Sequence, residues 1–259
     1  MILVITEKND AAQKIANLLG ETKEKKDSVY KTPVFNFKWN SDDCVAIGLR
    51  GHIMQIDFPK KLEYTKSKGW YGICEDDSQV DADIPDKLAK PPFEKAKRPF
   101  TKNGVNIKTW NIKSLEYLTY APTILIPKEK EIIRALKNLA KKADQIIIAT
   151  DFDREGELIG SDAMQICMEV NPKAKYFRSR YSAFTKTEIT ESFANLTSLD
   201  QNLADAGESR REIDLIWGAN ITRFLTVVKY SAQGGVRSSG RVQGPTLGLI
   251  CEKELERRA

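Results

Sequence analysis

The chain opens on an unbroken apolar run, residues 1–6, closed by Glu7. A short apolar run bounded by charge reads as a strand buried on both faces. Behind it Ala11, Ile15, Leu18 and Leu19 recur at helical spacing. Asn9 or Asp10 stands where a cap is needed, and Gly20 where the helix must stop. Residues 21–32 are polar and read as a linker. Two strands are expected at 34–39 and 44–49, with a turn at 40–43. Ile132, Ile133, Leu136 and Leu139 predict a helix over 128–142. Next comes QIIIAT, residues 145–150, a second run suited to a parallel sheet covered on both sides. A helix to about residue 170 and a strand over 174–183 follow. The first 183 residues therefore alternate strand and helix, the pattern of an α/β layer structure.

From residue 185 the period changes. Helices are expected over 185–195, over 199–228 with a bend near Gly218, and over 242–258, with a Gly/Ser-rich loop at 231–240. The change places a domain boundary near Arg180, with residues 1–180 α/β and residues 181–259 the first part of an all-α domain. Between the early strands and the 128–142 helix, an acid-rich stretch at 75–86 gives way to a base-rich, proline-interrupted one at 87–113. Residues 59–113 read as a variable excursion, either a solvated loop or a basic strip for a nucleic-acid backbone.

Composition narrows the classes. Of 259 residues 41% are hydrophobic and 30% charged, an ordinary globular balance. The net charge of +5 permits a phosphate-rich partner without demanding one. No apolar stretch approaches bilayer-spanning length, and charge interrupts the opening run too early for a signal peptide. The four cysteines are scattered with no CxxC pair, which disfavours zinc knuckles and disulfide frameworks and fits a reducing cytoplasm. A single histidine, His52, disfavours His-rich metal sites and Ser-His-Asp triads.

The chemistry concentrates in Asp151-Phe-Asp153-Arg154-Glu155-Gly-Glu157, directly after the second buried run. Ligands in open α/β sheets sit at the carboxyl edge of the strands. Asp151 and Asp153, two apart on extended chain, face one spot, with Glu155 close behind. Crowded carboxylates repel unless a cation joins them. Hard oxygen ligands with open positions suit Mg²⁺. If the two buried runs are neighbours in a parallel sheet, Glu7 reaches the same edge. A plainer reading is that these acids complement and cap the following helix. Arg154 is either a charge partner or a phosphate contact. Glu157, further along the helix, is expected to be solvated or to serve a hinge.

These residues resemble a known family. The Asp151-x-Asp153-x-Glu155-Gly-Glu157 pattern, with an upstream strand ending in Glu7, is similar to the Toprim domain of topoisomerases, primases and recombination nucleases. Two later segments choose among them. Arg210-Arg211-Glu-Ile-Asp214, continuing through Gly218, Asn220, Thr222 and Arg223, resembles the helix after Toprim in type IA DNA topoisomerases. Ser238-Ser239-Gly240-Arg241-Val242-Gln243 resembles their single-strand-binding loop, and Gly51-His52 falls in order. The adjacent Glu7 and Lys8 are closer to the archaeal-like and topoisomerase III pattern than to the bacterial topoisomerase I one. The resemblance implies a Rossmann-like Toprim fold followed by part of a helical domain. It also implies Mg²⁺ and no ATP, and cleavage and resealing of one DNA strand through a 5′-phosphotyrosyl link, relaxing negative supercoils. None of the eight tyrosines is followed by the family's Tyr-x-Arg-Thr-like pattern, so the chain is expected to be an N-terminal piece, inactive alone in strand cleavage.

By the same resemblance Asp151 and Asp153 hold Mg²⁺, with Glu155 and Glu7 beside them. Glu7 exchanges a proton with the leaving 3′ oxygen. Lys8 neutralises phosphate charge, and Arg154 assists. His52, Arg210, Arg211, Asp214 and the segment Ser238, Ser239, Gly240, Arg241, Val242, Gln243 contact single-stranded DNA. Asn220, Thr222 and Arg223 are equally readable as packing and capping groups. The expected setting is a monomer in the cytoplasm, associated with the nucleoid. The alternatives are a free-standing Toprim primase or nuclease and a non-catalytic DNA-binding module.

Overall fold

A computed structural model describes residues 1–20, 25–85, 88, 99–229 and 235–259. In chain order its elements are β1 (Ile2–Thr6), α1 (Asn9–Leu19), β2 (Lys25–Val29), β3 (Thr32–Trp39), β4 (Asp42–Gly48), β5 (Met54–Asp57), β6 (Lys61–Thr65) and β7 (Gly69–Ile73). There follow β8 (Gln79–Asp81), β9 (Phe100–Thr101), β10 (Gly104–Val105), α2 (Ile112–Thr119), β11 (Ile124–Pro127), α3 (Lys130–Ala140) and β12 (Gln145–Ile148). The last are α4 (Arg154–Val170), β13 (Lys175–Arg178), α5 (Lys186–Ala194), α6 (Gln201–Lys229) and α7 (Gln243–Arg258). The chain is α/β, and it folds into two compact units, each built from two stretches of sequence. Met1–Gln55 joins Ile126–Ser209, and Ile56–Leu125 joins Arg210–Ala259.

The first unit carries a six-stranded sheet in the order β13-β12-β1-β4-β3-β2. β1 pairs in parallel with both β12 and β4, and β12 with β13, while β3 and β2 add an antiparallel edge. The apolar runs at residues 1–6 and 145–150 are thus neighbours, the condition on which Glu7 reaches the edge of the acid loop. Their side chains alternate between two cores. Leu3, Ile5, Ile146 and Ile148 pack on Ile132 and Leu136 of α3 and on Ile159 and Ala163 of α4. Ile2, Val4 and Ile147 pack on Ala12 and Ile15 of α1 and on Ile189 and Phe193 of α5. Residues 25–29, read as linker, form β2, whose residues are exposed or half-buried and which pairs with β3. Its Lys25 and Lys26 are the charges that discourage further pairing at a sheet edge.

The second unit shows what the 59–113 excursion contains. Its antiparallel sheet runs β8-β7-β6-β10-β9. Phe58, Leu62, Trp70, Val105, Ile107, Tyr117 and Leu118 bury themselves together, with Leu215, Ile216 and Ala219 of α6 packed against them. Residues 87 and 89–98, part of the base-rich stretch, lie outside the described residues, as do residues 231–234 of the Gly/Ser-rich loop. The compact units divide the chain differently from a single break near Arg180. The 56–125 sheet has an apolar face to cover, and a later segment of α6 supplies side chains for it. α6 is one helix, continuous through Gly218, beside which a Cβ would meet open space.

Candidate active site at the carboxyl edge of the first sheet

Ile5 of β1 lies opposite Ile148 of β12 in a parallel pairing. The residues that leave the two strands therefore emerge at one carboxyl edge. Several contacts fix the first exit. The Glu7 carbonyl accepts from the Gly51 N–H at 3.0 Å, and Thr6 Oγ1 donates to the Lys8 carbonyl at 2.8 Å. Gly48, at the end of β4, presses on the Lys8–Asn9 backbone so closely that a Cβ there would stand 2.4 Å from the Asn9 nitrogen. Gly51 itself has φ +91°, a conformation that favours glycine.

The second exit is an acid loop. Lys8 Nζ lies 3.1 Å from Glu7 Oε1 and 3.7 Å from Asp151 Oδ2, so acids from two strands share one ammonium. The hydrogen bond to Glu7, then the charges of Glu7 and Asp151, raise the Lys8 pKa above its ordinary value. The ammonium is therefore held firmly in its charged form. Asp153 caps α4, its Oδ1 accepting from the Gly156 N–H at 2.8 Å. Glu155 Oε2 is 3.0 Å from His52 Nε2, and the buried His52 Nδ1 has no hydrogen-bond partner among the described residues. Arg154 opens α4 from an exposed position.

Among the described residues, no group of three or more His, Cys, Asp or Glu side chains is arranged to hold a metal ion. The donor set nonetheless suits a hard divalent cation, since it consists of carboxylates from two strand ends. Two of the four acids, Glu7 and Asp151, already enclose a positive charge. The other two are engaged: Asp153 gives one oxygen to its cap and Glu155 faces His52. A carboxylate can cap with one oxygen and meet an ion with the other, so Asp153 need not leave the start of α4 to join the set.

Glu157 corrects the sequence expectation. It is fully buried rather than solvated, and its partner is Arg178 of β13, also fully buried. Arg178 Nε donates to Glu157 Oε1 at 2.9 Å. Nη1 donates to the carbonyls of Ile148, at 3.3 Å, and Ser179. Nη2 donates to the carbonyl of Asp151 at 3.0 Å. Neighbouring groups hold the rest of the loop. Tyr181 donates its hydroxyl to the Ala149 carbonyl at 2.7 Å, and Thr150 Oγ1 donates to the Gly156 carbonyl at 2.7 Å. Gly156 is required here, because a Cβ would come within 2.0 Å of the Asp151 carbonyl oxygen. Sequence reasoning passed over Arg178. It is one of two arginines in the 174–183 stretch read as a strand, and nothing local distinguishes it from Arg180.

In the second unit, Asp214 gathers two arginines. Arg241 Nε lies 2.7 Å from Asp214 Oδ1, and Arg210 Nε, one helical turn away, lies 3.8 Å from Oδ2. The Arg241 hydrogen bond is the main cause that lowers the Asp214 pKa. Thr222 Oγ1 accepts from the Ser239 N–H at 3.0 Å, and Gln243 Oε1 accepts from the Gly240 N–H at 2.9 Å, just ahead of α7. Ser238 and Val242 lie on the same loop, with Val242 exposed. Arg211 sits beside Arg210 on α6 and is half-buried. Arg223 is a packing group: buried, it donates to the Ile107 carbonyl and stacks 5.6 Å from Trp110 and 6.0 Å from Phe58.

Comparison with known proteins bears on this arrangement. A family model described as Toprim domain matches residues 2–184, and one described as DNA topoisomerase matches residues 198–259. DNA topoisomerase 1 of Archaeoglobus fulgidus is 37% identical over 258 residues, covering 98% of this chain and 31% of that protein. DNA topoisomerase 1 of Methanocaldococcus jannaschii is 33% identical, covering 98% and 27%. Human DNA topoisomerase 3-alpha is 27% identical, covering 97% and 22%. Full-length topoisomerase I from Thermotoga maritima aligns with a TM-score of 0.53 at 22% identity over 98% of this chain and 30% of that one, a likeness of fold. The chain spans less than a third of the length of these relatives.

Proposed function

We propose, for a chain that belongs to the Toprim family in the form found in type IA DNA topoisomerases, that its acid edge binds Mg²⁺ and handles the phosphate and leaving oxygen of a DNA strand during cleavage and resealing. The observation that carries this reading is the Lys8 ammonium shared between Glu7 and Asp151 across the β1–β12 edge. It supports the reading because acids leaving two neighbouring strands meet around one positive charge at this edge.

Asp151, Asp153, Glu155 and Glu7 are the residues that would hold the ion. When bound, it would position the phosphate and offset its negative charge. Glu7 is partly buried and beside Asp151, where a proton can be given to a departing 3′ oxygen and recovered on resealing. Lys8, held charged by two carboxylates, faces phosphate as a point charge. Exchange of one phosphodiester for another conserves bond energy, so positioning is the main demand on these side chains. Tyr181, beside the acid loop, is unsuited to attack phosphorus. Its hydroxyl is spent on Ala149, and burial raises its pKa. In this reading the nucleophilic tyrosine is supplied elsewhere in the whole protein, and these 259 residues alone do not cleave.

Arg210, Arg211, His52 and the 238–243 segment are assigned to single-stranded DNA. Asp214 aims Arg241 and Arg210, and the Gly240–Gln243 turn leads into the start of α7, the kind of place phosphate is bound. The whole protein acts as an ATP-independent monomer on negatively supercoiled DNA in the cytoplasm. No helix among the described residues is long and apolar enough to cross a membrane. The test is relaxation of negatively supercoiled DNA with Mg²⁺ by the full-length gene product. The double substitution Asp151→Asn, Asp153→Asn is expected to lower the rate by at least two orders of magnitude, and full activity in that variant would reject the assignment.

A further inference from the structure

We infer that Arg178 and Glu157 form a charge-neutral internal brace that sets the direction of Asp151, so that the affinity of the acid edge for a divalent cation depends on two residues that cannot touch it. The inference rests on the metal reading above and adds to it the identity of the positioning residues.

The geometry is specific. One guanidinium, with no exposure to solvent, reaches three carbonyls of different segments: Ile148 at the end of β12, Ser179 after β13, and Asp151 in the acid loop. The carbonyl of Asp151 is drawn inward to Arg178 while its carboxylate stays partly exposed at the sheet edge, 3.7 Å from the Lys8 ammonium. Holding this carbonyl fixes the peptide plane that follows Asp151 and so narrows the directions open to its Cα–Cβ bond. Gly156 approaches the same carbonyl so closely that no Cβ fits there. An arginine is suited to this work because its planar fork serves several acceptors at once, which an ammonium cannot do.

Glu157 explains how such a charge is tolerated here. An uncompensated guanidinium beneath the acid loop would repel a divalent cation and would carry a large desolvation cost. The Glu157 carboxylate, 2.9 Å from Nε and equally buried, cancels that charge. The pair therefore supplies orientation without adding net charge to the site. This also accounts for the second acid of the Glu155-Gly-Glu157 segment. Two residues apart on a helix, about 200° around its axis, the two acids face opposite sides, one at the edge and one beneath it.

The test uses Mn²⁺ binding to the 259-residue chain, followed by electron paramagnetic resonance and competed with Mg²⁺, alongside thermal unfolding. Asp151→Asn identifies the binding that belongs to the acid edge. The double substitution Arg178→Met, Glu157→Leu removes both buried charges together, a change that proteins often accept without loss of stability. The expected result is a folded chain whose dissociation constant for Mn²⁺ rises by roughly 10- to 100-fold, as for other groups that orient metal ligands. A folded double variant that binds Mn²⁺ as tightly as wild type overturns the brace and leaves the metal reading standing. If the double variant does not fold, Arg178→Lys is measured at a temperature where its circular dichroism matches wild type. A rise in its dissociation constant supports the brace, and an unchanged one overturns it. A wild-type chain that binds no Mn²⁺ overturns the metal reading and the brace together.

Discussion

Asp153 does two jobs that a single substitution can separate. As the cap of α4 it accepts from the Gly156 N–H. As an acid at the sheet edge it is assigned to the ion. Serine caps a helix about as well as aspartate but carries no charge. Asp153→Ser is therefore expected to leave thermal stability within about 1 kcal/mol of wild type, while metal affinity falls at least tenfold. Asp153→Ala should lose both. Calorimetry with Mg²⁺ and thermal unfolding on the same samples check this, and a Ser variant with undiminished affinity would assign Asp153 to the helix alone. Asp151, Asp153 and Glu155 were legible because they form a compact pattern beside an apolar run, and Glu7 because it closes the other such run. The pair beneath them was not. Glu157 and Arg178 lie 21 residues apart, and no local rule joins an acid inside a helix to an arginine inside a strand. Only the sheet order, with β13 next to β12, brings them together.

Elements differ in how far their sequence announces them. α4, α5 and β12 stand close to where periodicity puts them, and Thr185 caps α5 by accepting from the Glu188 N–H. β2 was hidden because nothing in Lys25–Val29 is fully buried and no apolar alternation survives at an exposed edge. The small sheet of the second unit was hidden by charge and proline around it. Its strands are short, and their core partners come from α2 and α6. A further consequence concerns the loop before α7. The Arg241 hydrogen bond is the leading cause that holds the Asp214 pKa below its ordinary 3.8. A depressed carboxylate pKa adds stability that is complete above the unfolded value and is lost as pH falls through the folded one. The tie between α6 and the 238–243 loop should therefore be constant from neutral pH down to about 4 and loosen below 3.8. The check is the NMR signal of the Arg241 Nε–H, which should broaden on acidification and be broadened already at pH 7 in Asp214→Asn.

At the scale of the molecule, family matches and compact units describe different things. The matches run in order along the chain, 2–184 and then 198–259, whereas each unit is assembled from separated stretches. Hydrophobic period reports which residues are buried, not which distant segment buries them, so the α/β class was readable and the pairing of 56–125 with 210–259 was not. The division makes a strong claim about the first unit, because both of its cores are complete within it. Leu3, Ile5, Ile146 and Ile148 are covered by α3 and α4, and Ile2, Val4 and Ile147 by α1 and α5. Its two stretches also meet, for the Ile53 carbonyl accepts from the N–H groups of Lys128 and Glu129 at 2.9 and 3.1 Å. A short flexible linker can therefore join residue 55 to residue 126, since closing a loop of a few residues costs little entropy. A chain of residues 1–55, such a Gly/Ser linker and residues 126–209 is expected to unfold in one cooperative transition. It should bind Mn²⁺ within about threefold of the parent chain, because Glu7, Asp151, Asp153, Glu155, His52, Glu157 and Arg178 all lie inside it. A gradual, non-cooperative melt would show that the first sheet depends on residues 56–125 or 210–259 for its fold. A cooperative melt with lost Mn²⁺ binding would show that the acid edge draws on groups outside its own unit.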